Sequence, residues 1–147
     1  MESLYQEIIL DHYRNPRGRG PVSDCLGEAH HVNPTCGDEV TVQVALDGEG
    51  NLIVGYEGQG CSISQASASV MTELVVGGSP AQADLTRHAF LELMRSKGEG
   101  EPDEEVLGDA VAFAGVSKYP ARIKCALLPW MALQDAENRA GIAVSSE

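Results

Sequence analysis

Four cysteines stand in the chain, and three of them sit among residues that point to chemistry. Cys36 lies in NPTCGDEV, with Gly37 beside it and Asp38 next along; Cys61 follows Gly60 in GQGCSISQASAS; Cys125 ends KYPARIKC. Each thiol can be packing, half of a disulfide or a metal ligand. Three thiolates and one carboxylate make a tetrahedral set that zinc accepts. Cys36 and Asp38 would share one face of an extended strand, so both could reach one ion. An aspartate is harder and more exchangeable than a fourth cysteine, so the mixed set suggests a site built to open. Against this, a free cysteine is often only a small buried hydrophobe. No C-x-x-C pair forces these thiols together, and spacing alone leaves both readings open.

The chain around them has 147 residues, the size of one domain, and residues 1–147 are read as a single unit. Lys and Arg total 10 against 22 Asp and Glu, a formal charge of -12. That balance argues against nucleic acid or an anionic membrane as partner, since both attract clustered positive charge. It is compatible with a soluble monomer and with docking on a basic or mixed protein surface. The start, MESLYQEIILDHYRNPRG, carries acids and lacks the basic, apolar and small-residue segments of a secretory signal. No apolar run is long enough for a membrane helix. A cytoplasmic location follows, where thiols stay reduced and cysteines serve metal or catalysis more than disulfides.

Leu4, Tyr5, Ile8, Ile9 and His12 recur at helical spacing, ending before Asn15–Pro16. Residues 14–27 read as a surface crossing and 28–33 as a short strand. Val40, Val42, Val44 and Leu46 alternate with polar residues, DGEGN is a hairpin turn, and residues 52–57 return. From Ile63 to Val75 the period becomes helical, until Gly77–Gly78 stops it. Ser79–Pro80 reads as an N-cap with proline in the first turn, followed by a helix through Phe90 and Met94. An acidic loop at 96–105, a short helix near 106–114 and a last helix from Pro120 to Arg139 complete the order. Residues 141–147 read as a flexible tail. The fold class is α+β: a small three-stranded antiparallel sheet with helices packed on one face. Each of the three cysteines then falls at the end of an element, where one edge of the sheet can gather them.

Four stretches in order, DHYRNPRGRG, NPTCGDEV, GQGCSISQASAS and KYPARIKCALLPW, resemble the U-type iron–sulfur cluster assembly proteins, the IscU/NifU-N/SufU superfamily, over residues 3 to 135. Lys124 stands where IscU-like scaffolds carry a histidine ligand. The gap from Cys61 to Cys125 is longer, filled near 80–115, and KYPARIK replaces the chaperone-docking proline motif. These departures point to the SufU branch, with its SufE/NifU-like fold. The resemblance implies a zinc-dependent sulfurtransferase. It would accept persulfide sulfur from a PLP-dependent cysteine desulfurase of the SUF system and pass it towards cluster assembly, with the SUF scaffold complex as a further partner. It implies Cys36, Asp38, Cys61 and Cys125 as zinc ligands and Cys36 as sulfur acceptor, released when a desulfurase histidine takes its place. Two alternatives stand beside it: a scaffold holding a [2Fe–2S] cluster or iron on the same ligands, and a structural zinc module that only binds partners.

Neighbouring residues carry further expectations. Arg122, three residues before Cys125, would share its helix face and orient Asp38 or steady a thiolate. Lys124 reads as surface. Pro129 removes a helix bond to the carbonyl of Cys125 and predicts a kink. Cys25 reads as a bystander, His12 as packing or a partner contact, and His30 and His31 as a surface pair. The serines of SISQASAS read as packing and capping groups rather than nucleophiles, with no base evident nearby. Trp130 and Met131 read as core.

Overall fold

The computed structural model describes the backbone of residues 3–142 and the side chains of 5–142. The first helix, α1 (Ser3–Arg14), ends where expected. Asn15 closes it, its backbone N–H reaching the Asp11 carbonyl at 2.8 Å. The segment after it is more than a crossing. Arg19 makes a parallel bridge to Tyr56, and Gly20 N–H bonds the Tyr56 carbonyl. It thereby covers part of one edge of the sheet, where unpaired backbone groups would otherwise invite another strand.

The sheet is antiparallel in the order β1 (Gly27–Asn33), β2 (Asp38–Leu46), β3 (Leu52–Gln59). Val40, Val42 and Val44 are buried against the helices, while Glu39, Thr41 and Gln43 line the opposite face. At the hairpin turn the Asp47 carboxylate accepts the N–H groups of Glu49 and Asn51, which fixes the register. β3 runs two residues beyond the expected end, to Gln59, and delivers the chain directly into α2 (Ser62–Val75).

Helix α2 presents Ala66, Ser67, Ala68 and Ser69 to its surroundings, all buried. Such small side chains let other helices approach closely. Helix α3 (Pro80–Arg95) opens with the expected Ser79 cap, completed into a reciprocal capping box by Gln82. The short helix expected near 106–114 is different. One α-turn, α4 (Glu104–Leu107), gives way to a 3-10 helix over Gly108–Lys118. Ala110, Phe113 and Val116 are all buried. Three residues per turn stack them in one row, whereas an α-helix would rotate them apart.

The last helix, α5 (Pro120–Arg139), packs across β1 and β2 and continues through Pro129. Ser67 of α2 donates to the Ala126 carbonyl at 2.6 Å, beside the carbonyl whose helix bond the proline removes. Trp130 donates its indole N–H to the same Ser67 oxygen. Phe90 stacks on Trp130 at 4.8 Å and meets Phe113 edge-on at 5.8 Å, so α3, the 3-10 helix and α5 share one aromatic centre. Of the expected tail, residue 142 is held in place: Ile142 is buried, and its N–H bonds the Glu137 carbonyl. The rest of that stretch lies outside the described residues.

Candidate metal centre

Three connections converge at one end of the sheet. The β1–β2 turn carries Cys36, and Gly37 closes it with a φ of +71°, a conformation that other residues adopt at a cost. Asp38 is the first residue of β2 and is fully buried. The expectation that Cys36 and Asp38 share a strand face is therefore corrected: Cys36 stands in the turn, and the turn folds it back over Asp38. Cys61 is the N-cap of α2, and Cys125 lies in the second turn of α5.

Three of the four side chains, Cys36, Asp38 and Cys125, form one tight group, and Cys61 adjoins it through Asp38. Cys36 Sγ and Cys125 Sγ are 3.4 Å apart, and Cys61 Sγ is 3.6 Å from Asp38 Oδ2. The ligand atoms of Cys36, Asp38 and Cys125 all lie within 4.8 Å of one another. Tetrahedral zinc with thiolate bonds of the usual length sets its ligands about 3.8 Å apart. The separations among Cys36, Asp38 and Cys125 fit such an ion; Cys61 Sγ, 3.6 Å from Asp38 Oδ2, stands outside that group and has to turn inward to complete the set.

Backbone and side-chain donors hold the carboxylate and sulfurs in place. Cys61 N–H bonds Asp38 Oδ1 at 2.8 Å, which turns Oδ2 towards the sulfurs. Ser64 N–H points at Cys61 Sγ at 3.5 Å, so this sulfur sits at a helix N-terminus, where negative charge is favoured. Gly60 makes the approach possible: a Cβ there would lie 2.2 Å from Asp38 Oδ1.

Burial pushes the Cys125 thiol well above the ordinary thiol range, and the adjoining Asp38, Cys36 and Cys61 push it the same way. Three thiols and a carboxylate thus crowd a site in which no arginine or lysine contacts them among the described residues. A cation held by these atoms would supply the missing charge and keep the thiols deprotonated. The donor set, hard and soft together, suits zinc.

Arg122 does not share the buried position of Cys125. It is exposed at the start of α5, and among the described residues no hydrogen bond joins it to Asp38, whose orientation comes from the Cys61 N–H. Lys124 is exposed, as is Cys25, which stands away from the centre in the N-terminal loop. His30 bonds Thr41 and His31 bonds Asp135, so neither belongs to the ligand set. His12 is fully buried. Its Nδ1 lies 2.7 Å from Ser69 Oγ and its Nε2 2.7 Å from Asp109. A base therefore does adjoin one serine of α2. Ser69 is itself fully buried, out of reach of a substrate, and also accepts the Arg17 N–H. With Glu73, this group ties α1, α2 and the 3-10 helix together. Arg17 lies 3.6 Å from Glu73 and already balances its charge.

The close backbone approach expected at Gly60 is found. Sequence reasoning missed two contributors: the Ser64 N–H, and Asn33, whose amide lies 3.8 Å from Cys125 Sγ. Their signals were present as a serine three residues after an N-cap and an Asn-Pro turn.

A three-stranded sheet backed by helices, with three cysteines and an aspartate at one end, defines a U-type assembly fold. The chain belongs to the NifU-like N-terminal domain family, whose model matches residues 4–126. It is 44% identical over 135 residues to the zinc-dependent sulfurtransferase SufU of Bacillus subtilis (strain 168), covering 91% of this chain and 89% of that one. It is 36% identical over 143 residues to the iron–sulfur cluster assembly scaffold protein IscU of Streptococcus pyogenes serotype M1, covering 97% and 88%. The crystal structure of a SufU from Fervidobacterium islandicum AW-1, a candidate iron–sulfur cluster assembly scaffold for the SUF system, superposes with a TM-score of 0.76. It is 36% identical and covers 91% of this chain and 96% of that one. The fold class and the family expected from the four motifs hold.

Proposed function

We propose that this protein is a zinc-dependent sulfurtransferase of SUF-type iron–sulfur cluster assembly, with Cys36, Asp38, Cys61 and Cys125 as the metal ligands. Cys36 is the sulfur acceptor, and a PLP-dependent cysteine desulfurase is the donor. The observation that carries the reading is the inequality of the four ligands. Asp38 and Cys125 are buried and Cys61 is partly so, whereas Cys36 is exposed in a turn. Cys36 can swing outward without unravelling a helix or strand. The other three are anchored to a strand start, a helix cap and a helix body.

Zinc held there supplies charge that keeps the thiols ionised. The Cys36 thiolate attacks the outer sulfur of the donor persulfide. A new bond forms between Cys36 Sγ and that sulfur as the donor's S–S bond breaks. The electron pair leaves with the donor cysteine, which departs as a thiolate. No net oxidant or reductant is required. Asp38, fixed by the Cys61 N–H, would remain to hold the ion with Cys61 and Cys125 when Cys36 turns to the donor.

The similarity to the Bacillus subtilis sulfurtransferase supports this reading, and so does exposed Lys124 where IscU-like scaffolds place a histidine. The reaction belongs in the cytoplasm, where the thiols stay reduced. Arg122, exposed three residues before Cys125, is assigned to meeting the donor rather than holding Asp38. The second reading, a [2Fe–2S] scaffold on the same four ligands, is favoured by the similarity to the streptococcal IscU. Metal analysis of the protein as purified tests the two: equimolar zinc supports the sulfurtransferase, and iron with acid-labile sulfide supports the scaffold.

A further inference from the structure

The ligands differ in the hydrogen bonds they receive. Asp38 Oδ1 takes the Cys61 N–H at 2.8 Å, Cys61 Sγ takes the Ser64 N–H at 3.5 Å, and Cys125 Sγ takes the Asn33 side-chain amide at 3.8 Å. Among the described residues, Cys36 Sγ receives no N–H; its polar neighbour is Cys125 Sγ. Asn33 is buried and is the last residue of β1, paired in register with Asp38. Its backbone carbonyl accepts the N–H groups of Cys36 and Gly37 and so closes the turn. That task uses only the main chain, which any residue provides. The amide is aimed instead at the sulfur of α5.

We propose that Asn33 is a positioning residue that decides which thiolate reacts: its amide holds Cys125 back and leaves Cys36 as the reactive sulfur. The inference rests on the metal centre and sulfur-acceptor role proposed above. An N–H directed at a thiolate stabilises the lone pair that would attack an electrophile. A hydrogen bond to a charged group is also stronger than a neutral one. Two thiolates lie side by side at this centre, and a donor on one alone biases both attack and release from the metal. Hydrogen bonds around a metal centre tune its ligands in this way. Burial acts in the same direction for Cys125, but it does not distinguish an amide from an apolar side chain of the same shape. The Asn33 substitutions do.

The test uses the full chain loaded with cobalt(II), whose sulfur-to-metal charge-transfer band reports electron density on sulfur. The variants are Asn33→Leu, which keeps the shape without the donor, and Asn33→Gln, which keeps an amide. Asn33→Leu is expected to move the band to lower energy. With iodoacetamide as probe, the Cys125 share of alkylation, mapped by peptide mass, is expected to rise about tenfold relative to Cys36. Asn33→Gln is expected to restore both towards the natural protein. An unchanged band and an unchanged Cys36 preference in Asn33→Leu would overturn the inference. Should that variant not hold metal, the unsubstituted protein loaded with spin-active cadmium decides. A scalar coupling between the Asn33 amide protons and cadmium, passing through sulfur, supports the proposal, and its absence overturns it. Unsubstituted protein that takes up neither metal overturns the metal centre itself, a failure distinct from a bound metal with an unmoved band.

Discussion

Cys36 Sγ and Cys125 Sγ lie 3.4 Å apart although 89 positions separate them in the chain. One stands in a strand-to-strand turn and the other in a long helix, and the helix crossing β1 and β2 brings them together. The centre is thus a product of tertiary packing, and mutations behind it should reach it.

Gly60 is the most direct such position. Its φ is +147° and a Cβ would meet Asp38 Oδ1 at 2.2 Å. Gly60→Ala must move the carboxylate or the chain beside Cys61. We expect a loss of stability of about 1–3 kcal/mol, from strain and a displaced buried hydrogen bond. Zinc affinity should fall at least tenfold, measured by competition with a chromogenic chelator.

Ser67 joins α2 to α5 by donating to the Ala126 carbonyl and accepting from Trp130. Ser67→Ala leaves two buried polar groups without their partner. The expected loss is about 1–3 kcal/mol in urea unfolding, with Cys36 and Asp38 still able to bind metal.

Glu137 should make stability depend on pH. Burial first, and then the charge of Asp84, push its carboxyl from 4.5 up to about 7, with Arg87 opposing. Among the described residues its Oε2 has no hydrogen-bond partner. The folded value lies above the unfolded one, so the fold favours the protonated form. That contribution is complete below about 4.5 and is lost as the pH rises through about 7. It is on the order of 3 kcal/mol between the two limits. The unfolding free energy of the natural protein should fall relative to Glu137→Gln between pH 5 and 8, as read from paired urea titrations. A constant difference between the two proteins across that range would contradict this.

How much of this the sequence disclosed depends on the kind of signal. The alternation of Val40, Val42 and Val44 has one solution, and the sheet follows it. Ser79–Pro80 names its own helix start. The three cysteines were legible as members of one site through their surrounding motifs and not through spacing, since no local rule joins Cys36 to Cys125. Cys36 was placed correctly at the turn, but the strand face it was to share with Asp38 failed because Gly37 turns the chain between them, a choice that alternation cannot register. The short helix expected near 106–114 came out as one α-turn and a 3-10 helix because a spacing of three, as between Ala110 and Phe113, is shared by both over one turn, and only its repetition to Val116 separates them. Ser69 could not be matched with His12 in advance, because 57 positions separate them and only the packing of α1 on α2 makes them neighbours.

Removing the metal should loosen the centre without dissolving the fold. The stack of Phe90 on Trp130 and the buried sheet face belong to a large apolar core that Cys125 joins and Cys61 adjoins, and its contacts are between apolar side chains that need no ion. The near-ultraviolet circular dichroism of Trp130 should therefore survive chelation. Its collapse would favour the structural zinc module instead.

The most direct test of the sulfur-acceptor role is mass mapping of the protein after reaction with a SUF-type cysteine desulfurase and cysteine, in a single turnover with no added reductant. The account predicts one added sulfur on the peptide that carries Cys36, and none on that peptide in Cys36→Ala. Transfer at the normal rate in Cys36→Ala, or sulfur found only on Cys61 or Cys125, would contradict it.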